Sequence, residues 1–323
     1  MRIALPAEIA IDSLAACDPA ATITYLAGET MGTRWSVRLV LATRLSADAV
    51  VTAIGGRLDD VVAQMSHWSA TSDLARFNRS AAGSWTRLPI DFAHVMAQGL
   101  AIAAKSDGAF DPAIGCLVDA WGFGPVAVAA PPTPDAIAAA RAVSGWRRLV
   151  LADGRLRQPG GLTLDLSGIA KGHAVDAVAM LLQRLGVVHA LVDIGGELAG
   201  FGVRPDGQPW WVDLEVPPGT DVMPLRIALH DIAVATSGDY VRGGHTIDPR
   251  TGQPIVNGVV SASVVHATAL TADAWATAFT VAGPKAGMAI AVAQDIAARI
   301  VTLIDGETCE YLTPALLAML ADD

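Results

Sequence analysis

Cysteine and positive charge are both scarce in this sequence. The three cysteines of its 323 residues, Cys17, Cys116 and Cys309, are far apart, which argues against a zinc knuckle and against a disulfide framework. Lys and Arg number 22 against 32 Asp and Glu, so the formal net charge is −10. An acidic surface repels phosphate backbones, and we therefore expect no nucleic-acid partner. A bound anion would need local attraction from a metal ion, a helix N-terminus or a few basic side chains.

Long apolar runs are also missing. No stretch is long enough to cross a bilayer, so we expect no transmembrane segment in this chain. Near the start, Glu8 and Asp12 interrupt the apolar stretch that a secretory signal needs, and we read the lipoprotein-like box LAAC as chance. We expect a cytoplasmic location, with a periplasmic or membrane-anchored lipoprotein as the alternative if the N-terminus is incomplete.

Four common catalytic or nucleotide-binding signatures are absent. The sequence contains neither GxxxxGK[ST] nor GxGxxG, so a nucleotide site would not be of the P-loop or Rossmann kind. It contains neither the GxSxG of serine hydrolases nor the HExxH of zinc peptidases. The chemistry of this chain has to come from another arrangement of residues.

The pattern of strands and helices predicts an α+β fold. Hydrophobic residues make up 52% of the chain, which is typical of a globular protein. Predicted strands occur in consecutive pairs as well as between helices, which favours mixed or antiparallel sheets packed with helices over a doubly wound parallel sheet. We expect one compact domain over residues 23–323, with two lobes as an alternative, after a poorly ordered extension at residues 1–22.

Several elements can be placed along the chain. Ile23–Leu26 and Trp35–Leu41 are rich in β-formers, and GETMGT separates them, which predicts a hairpin. Residues 189–205 are predicted as one strand and residues 156–167 as another. Residues 108–125 are predicted as a loop. The remaining predicted elements include a helix over 168–186 and a last long helix through 270–283.

The stretch LTLDLSGIAKGHAVD, residues 162–176, joins a predicted strand to a predicted helix through small residues and one lysine. Three interpretations are open: a tight turn, a phosphate cradle or part of a metal site. Further along, Asp273 and Thr277 lie four apart on a predicted helix and so share one face. They could offer two hard oxygen ligands to Mg²⁺, or they could be an ordinary polar pair near a helix N-terminus.

Three more segments have both a functional and an ordinary interpretation. His245 follows two glycines and could accept a proton near neutral pH, whereas the DPRTG that follows suits a β-turn. Trp68 could stack on a planar ring or simply cover core. Asp111, in GAFDP, could serve only to cap a turn that Pro112 makes rigid.

Taken in order, eight short motifs resemble those of the FAD:protein FMN transferase family, also called ApbE-type flavin transferases. The resemblance runs from about Glu29 to about Gly283. The motifs are ETMGTRWSV, MSHWSATSDLARFN, GAFDPAIGCLVDAWGFG, LDLSGIAKGHAVD, LVDIGGEL, ATSGDY, HTIDPRTGQP and TADAWATA.

The resemblance implies an ApbE-like α+β fold and an activity. Such enzymes bind FAD and Mg²⁺, move FMN onto a Thr or Ser hydroxyl of an acceptor flavoprotein through a phosphoester bond, and release AMP. Some mainly hydrolyse FAD to FMN and AMP, so an FAD diphosphatase is one alternative, and a non-catalytic flavin-binding protein is another.

The resemblance also implies residue roles. Mg²⁺ would be bound by the backbone carbonyl of Ala170 and the side chains of Asp273 and Thr277. His245 would be the base that takes the proton of the acceptor hydroxyl. The residues implied to contact FAD are Met31, Trp68, Ala109, Phe110, Asp111, Ser167, His173 and Ile247.

The chain departs from the family pattern at three places. Trp68 stands where the family commonly has Tyr, and Ser167 and His173 replace the first Gly and the aromatic residue of GGIAKGY. The stretch between Tyr240 and His245 is shorter than the hairpin that relatives often carry, which would alter how the acceptor or the adenine end docks.

Overall fold

The computed structural model describes residues 1–42, 44–238 and 244–321. Its helices are α1 (Ile11–Ala15), α2 (Ala47–Met65), α3 (Asp73–Asn78), α4 (Ile90–Lys105), α5 (Gly115–Ala120), α6 (Pro134–Val143), α7 (Ala170–Arg184), α8 (Ala269–Ala293) and α9 (Pro314–Ala318), with a 3₁₀ turn at Trp146–Arg148. Its strands are β1 (Arg2–Ala4), β2 (Ile23–Thr30), β3 (Thr33–Val40), β4 (Trp85–Arg87), β5 (Val150–Ala152), β6 (Arg155–Arg157), β7 (Ala190–Ile194), β8 (Glu197–Phe201), β9 (Trp210–Asp213), β10 (Leu225–Leu229), β11 (Ile232–Gly238), β12 (Ile247–Asp248), β13 (Gln253–Pro254), β14 (Val259–His266), β15 (Ala297–Ile304) and β16 (Glu307–Leu312).

An eight-stranded sheet forms the centre of the molecule, in the order β16-β15-β14-β11-β8-β7-β3-β2. Every neighbouring pair in this sheet is antiparallel. Smaller sheets have the orders β1-β10-β9, β4-β6-β5 and β12-β13, and β1 pairs with β10 in parallel. Antiparallel sheets packed with helices confirm the predicted α+β class.

The predicted hairpin at the start of the domain is confirmed, but its turn is tighter than the GETMGT segment indicated. Strands β2 and β3 pair over their full length, from Ile23 opposite Val40 to Thr30 opposite Thr33. Only Met31 and Gly32 lie outside the ladder, with φ of 51° and 70°. Two consecutive residues with positive φ form a turn whose twist matches that of the strands.

The prediction of one strand over 189–205 is wrong, because the chain reverses in the middle. Gly195 and Gly196 have φ of 68° and 99° and form a two-residue turn. Strands β7 and β8 pair on either side of it, with Ile194 opposite Glu197. The turn places Glu197 at the start of a central strand.

Two further predictions need correction between residues 108 and 167. The predicted loop contains α5, which buries Leu117. The predicted strand over 156–167 ends at Arg157, where β6 ends. Beyond it the buried Gln158 donates hydrogen bonds from Nε2 to the carbonyls of Phe77 and Leu162.

The first 22 residues contain ordered elements, unlike the poorly ordered extension expected from the sequence. Strand β1 pairs with β10, and Ala4 is fully buried. The Ala10 amide donates a hydrogen bond to His230 Nε2 at 3.0 Å. The pairing partners are more than 200 residues away, so nothing local in the sequence indicated them. The domain boundary at residue 23 stays a prediction.

Helices α7 and α8 pack against each other and against the central sheet. The last long helix is confirmed and extends to Ala293, but Gly283, with φ of 79° and ψ of 171°, interrupts it just before Pro284. Among the described residues, α8 is the one helix whose length and apolar composition would allow it to cross a membrane. Its N-terminal half is buried in the core between α7 and strands β11 and β14, which accounts for that composition.

Candidate functional site

The N-terminal turn of α7 contacts the first turns of α8 directly. The Gly172 amide donates a hydrogen bond of 2.9 Å to Asp273 Oδ2. A Cβ atom on residue 172 would lie 2.2 Å from the carbonyl oxygen of Ala269 and 2.8 Å from Asp273 Cβ. Only glycine therefore allows the two helices to approach this closely.

A second glycine makes a matching contact four residues earlier. A Cβ atom on Gly168 would lie 2.8 Å from Thr277 Oγ1. Residues 168 and 172 thus contact Thr277 and Asp273 respectively, and Ala170 lies between them in the chain. The structure therefore places the Asp273 carboxylate and the Thr277 hydroxyl beside the turn that carries the Ala170 carbonyl.

Asp176, one turn further along α7, fixes the start of α8. Its two carboxylate oxygens accept hydrogen bonds from the amides of Ala269 and Leu270, at 2.8 and 2.9 Å. These amides are among the donors that a helix leaves unsatisfied at its N-terminus. Burial raises the pKa of Asp176 to about 6. The two helices are therefore joined at this end by Asp176 and by the Gly172–Asp273 hydrogen bond.

An ion pair between the half-buried Lys171 and the buried Glu197 adjoins the site. The Lys171 ammonium donates to Glu197 Oε1, and Glu197 is 2% exposed. Burial raises the pKa of Glu197 to about 8, and the negative charge of Asp273 contributes to that rise. Burial also raises the pKa of Asp273, which Lys171 opposes. Lys171, Glu197 and Asp273 therefore interact electrostatically beside the first turn of α7.

Sequence reasoning missed Glu197 and Asp176 as parts of this site. Glu197 was hidden in the predicted strand over 189–205, although an acidic residue in an apolar segment is seldom fully buried without a partner. Asp176 lies six residues after Ala170 and ends the motif LDLSGIAKGHAVD, but no role was assigned to it. A search for lone charges within apolar runs would have found Lys171, Asp176 and Glu197 together.

Ser167 lies at the entrance to the α7 turn and is exposed. Its amide and its hydroxyl both donate to Asp165 Oδ1, at 2.7 and 2.6 Å. The side chain thus closes the loop between residue 165 and α7, and the exposed serine faces solvent beside the site. A contact between Ser167 and FAD stays a prediction.

His173 is 3% exposed and is directed towards α4. Its Nε2 lies 3.9 Å from Asp91 Oδ1, and its ring centroid lies 6.3 Å from that of His94. Burial lowers the pKa of His173 to about 4, so the ring is neutral at pH 7. Contact between His173 and FAD stays a prediction.

The GAFDP segment is buried, and its Asp111 caps a turn. Ala109, Phe110 and Asp111 are all at least nine-tenths buried. Asp111 accepts hydrogen bonds from the amides of Ala113 and Trp146, at 2.8 and 3.0 Å, and burial raises its pKa to about 6. The ordinary interpretation of Asp111 as a turn cap is confirmed. Contact of this segment with FAD stays a prediction.

Met31 and Trp68, both predicted to contact FAD, differ in exposure. Met31 is half-buried in the β2–β3 turn and packs against the main core. Trp68 is 63% exposed, and the ring of His67 lies 5.2 Å from it. Its indole face is therefore available to a planar ligand, and the alternative that it only covers core does not fit this exposure.

His245 begins the HTIDPRTG segment, which forms the small hairpin of β12 and β13. Its ring is half-buried and meets the ring of Phe123 edge-on at 6.5 Å. Ile247 is 3% exposed and packs with Leu117 and Ile137. The Gly252 amide donates to the Asp248 carbonyl at 2.7 Å, which confirms the predicted turn. The short stretch before His245 includes residues 239–243, which lie outside the described residues.

Within residues 1–42, 44–238 and 244–321, no three His, Cys, Asp or Glu side chains form a group that could hold a metal ion. A cation at the α7–α8 junction would therefore depend on one carboxylate supplemented by hydroxyl and carbonyl oxygens. Oxygen sets of this kind suit Mg²⁺, which is bound through few carboxylates and completes its shell with water and substrate phosphates.

Comparison with known proteins identifies close relatives. The model of the ApbE family matches residues 31–300. The chain is 35% identical over 324 residues to the FAD:protein FMN transferase of Vibrio cholerae, covering 96% of this chain and 97% of that protein. It is 34% identical over 324 residues to the protein of the same name from Salmonella typhimurium, covering 94% and 91%.

Solved structures agree with these relationships. The flavinyl transferase ApbE of Pseudomonas stutzeri, in its apo form, superposes with a TM-score of 0.88 at 34% identity, covering 94% of this chain and 98% of that one. The flavin transferase ApbE of Vibrio cholerae superposes with a TM-score of 0.88 at 35% identity, covering 93% and 99%.

Proposed function

Because this chain belongs to the ApbE family, we propose that it is an FAD:protein FMN transferase, which attaches the FMN half of FAD to a Thr or Ser hydroxyl of an acceptor protein and releases AMP. The observation that carries the proposal is the contact of the 168–172 turn with Asp273 and Thr277. That contact gathers hard oxygen donors beside glycines that leave room for a diphosphate.

The residues present fit a magnesium ion. Asp273 accepts the Gly172 amide at Oδ2, and the positive charge of Lys171 opposes the rise in its pKa that burial causes. The Ala170 carbonyl and the Thr277 hydroxyl would complete the protein's share of the ligands. When bound, Mg²⁺ would neutralise charge on the diphosphate and on the departing AMP. A chain with a net charge of −10 supplies little positive charge of its own for this purpose.

The remaining residues would bind and orient FAD. Trp68, exposed near the end of α2, would stack on the isoalloxazine ring, and Met31 in the β2–β3 turn would contact the same ring system. Ser167, exposed at the start of the α7 turn, would lie near the diphosphate. Holding the reacting phosphorus and the acceptor hydroxyl together supplies much of the rate enhancement in such a transfer.

His245 would act as the general base. Its imidazole would accept the proton of the acceptor hydroxyl while that oxygen forms a bond to the flavin-side phosphorus. The bond from this phosphorus to the oxygen bridging to AMP breaks, and AMP leaves with that oxygen. The half-buried position of the ring, against Phe123, leaves part of it open to a substrate.

Incubation with FAD, Mg²⁺ and a candidate acceptor protein tests the proposal. Intact-mass spectrometry should show the acceptor gaining one FMN, with an equal amount of AMP released, and substitution of the acceptor Thr or Ser should abolish both. Equal AMP release with and without the acceptor would instead identify an FAD diphosphatase. Retention of FAD without AMP formation would identify a non-catalytic flavin-binding protein.

A further inference from the structure

A small hydrophobic cluster supports the hairpin that follows His245. Helices α5 and α6 contact each other, and Leu117 and Ile137 on them pack with Ile247 of β12. All three side chains are more than nine-tenths buried, and their cluster is separate from the main core. Because Ile247 lies only two residues after His245, the position of the proposed base depends on this small cluster.

The end of α5 brings two aromatic side chains together. Gly122, with φ of 74°, donates its amide to the Asp119 carbonyl, and the Phe123 amide donates to the Val118 carbonyl, both at 3.0 Å. A left-handed residue with these two hydrogen bonds is a common helix end. The rings of Trp121 and Phe123, on either side of Gly122, are stacked with centroids 6.4 Å apart and planes at 14°.

Both aromatic side chains contact the hairpin, at different points. Trp121 Nε1 donates a hydrogen bond of 2.8 Å to the carbonyl of Gly252, in the turn between β12 and β13. The Phe123 ring meets the His245 ring at 83°, with centroids 6.5 Å apart, which is a favourable edge-to-face arrangement. The end of α5 therefore contacts both the turn of the hairpin and the imidazole of the proposed base.

We propose that Trp121 is a positioning residue that, together with Phe123, holds the β12–β13 hairpin so that the His245 imidazole can accept the proton of the acceptor hydroxyl. The inference rests on the proposed function, because His245 is the base of that reaction. Without the indole N–H, the Gly252 carbonyl loses this hydrogen bond and the hairpin loses one of its attachments to α5. A displacement of about 1 Å at a catalytic group can lower a rate by about 100-fold.

Contact with FAD and a purely structural role are the two alternatives for Trp121, and they predict different results. If Trp121 contacted FAD, its loss would lower the affinity for FAD and would slow transfer even in a protein that lacks the His245 imidazole. If Trp121 contributed only to the stability of the fold, its loss would lower the urea midpoint without changing kcat. A residue that acts through His245 has no further effect on kcat once that imidazole is removed, because the two effects are not additive.

The experiment compares FMN transfer to the acceptor that the mass-spectrometry test identifies. Trp121→Phe removes the indole N–H and keeps an aromatic ring. Its kcat should fall about 10- to 100-fold, while the dissociation constant for FAD, measured by fluorescence titration, stays within about threefold of the parent value. The double variant Trp121→Phe with His245→Ala should transfer FMN no more slowly than His245→Ala alone.

Hydrogen exchange of the hairpin amides gives a second readout that needs neither FAD nor Mg²⁺. Within the hairpin the Gly252 amide donates to the Asp248 carbonyl and the Ile255 amide to the Thr246 carbonyl. Both amides should exchange faster in Trp121→Phe than in the parent, because the hairpin has lost an attachment to α5.

Trp210→Phe is the matched control. Trp210 is 2% exposed in a different hydrophobic cluster, and its Nε1 donates to the Phe201 carbonyl at 3.0 Å. This variant loses the same kind of hydrogen bond, so it should lower the urea midpoint without changing kcat or the exchange of the hairpin amides. If Trp121→Phe does not fold, Phe123→Leu removes the edge-on contact with His245 and keeps an apolar side chain. It should slow transfer with unchanged FAD affinity, and only while His245 is present.

Two results would overturn the inference: an unchanged kcat in folded Trp121→Phe, or a further slowing of His245→Ala by the same substitution. Failure of the proposed function would look different, because the parent would then transfer no FMN or His245→Ala would keep the parent rate. In that case the hydrogen exchange would still show whether Trp121 holds the hairpin.

Discussion

Replacing Gly172 with alanine tests how closely the two helices of the site must approach. The added Cβ would lie 2.2 Å from the Ala269 carbonyl oxygen, which is a backbone atom, and 2.8 Å from Asp273 Cβ. Ordinary contact begins at 3.4 Å, so α7 and α8 must separate by about 1 Å at this point. The same movement would stretch the Gly172–Asp273 hydrogen bond and shift the Ala170 carbonyl away from Asp273.

The expected magnitude combines two opposing effects. Overpacking a tight contact costs about 1–3 kcal/mol, whereas alanine is about 1 kcal/mol better than glycine inside a helix. We expect the free energy of unfolding of Gly172→Ala to fall by up to about 2 kcal/mol. Flavin transfer should fall more, by about 100-fold, because a 1 Å displacement of catalytic groups has that effect.

Gly55→Ala provides the matched control. Gly55 lies inside α2, and a Cβ there would have no atom within 4 Å. This variant should gain about 0.5–1 kcal/mol in free energy of unfolding from helix propensity alone and should keep the parent activity. Urea denaturation and FMN transfer to an acceptor are measured for both variants. Stabilisation of Gly172→Ala like that of Gly55→Ala, with full transfer activity, would refute the close-contact argument.

Three further predictions concern the proposed ligand, base and helix cap. Asp273→Ala should abolish Mg²⁺-dependent transfer, and full Mg²⁺-dependent activity in this variant would contradict the metal assignment. His245→Ala should slow the turnover of bound FAD, while the affinity for FAD, measured by fluorescence titration, stays near the parent value. A large loss of FAD affinity with unchanged turnover would make His245 a binding residue and not the base. Asp176→Ala removes the acceptor of two buried amides and should lower the free energy of unfolding, measured by urea denaturation, by about 1–3 kcal/mol. The control Asp60→Ala, on the exposed side of α2, should lower it little. Equal losses of stability in the two variants would contradict the capping function of Asp176.

The elements that could be predicted from the sequence are those with local signals. Segments rich in β-formers on either side of GETMGT indicated the β2–β3 hairpin, although not its two-residue turn. The small residues before α7 and the apolar periodicity after them indicated a turn followed by a helix. The i, i+4 spacing of Asp273 and Thr277 placed both on one face of α8 before any contact was known.

The parts that could not be predicted depend on partners distant in the chain. Glu197 is an ordinary glutamate after two glycines until β8 brings it to Lys171, 26 residues earlier. Arg2–Ala4 became a strand only because β10 supplies its hydrogen-bonding partner. The burial of His173 beside Asp91 depends on how α7 packs near α4, which no local pattern encodes.

The most direct test of the site is to locate the cation and FAD together. Crystals grown with FAD and Mn²⁺, which substitutes for Mg²⁺ and scatters anomalously, would be measured near the manganese absorption edge. The anomalous peak should lie about 2.0–2.3 Å from the Ala170 carbonyl, an Asp273 oxygen and the Thr277 hydroxyl, with the FAD diphosphate beside it. A peak away from these three oxygens, or an FAD diphosphate remote from the 168–172 turn, would contradict the proposed site.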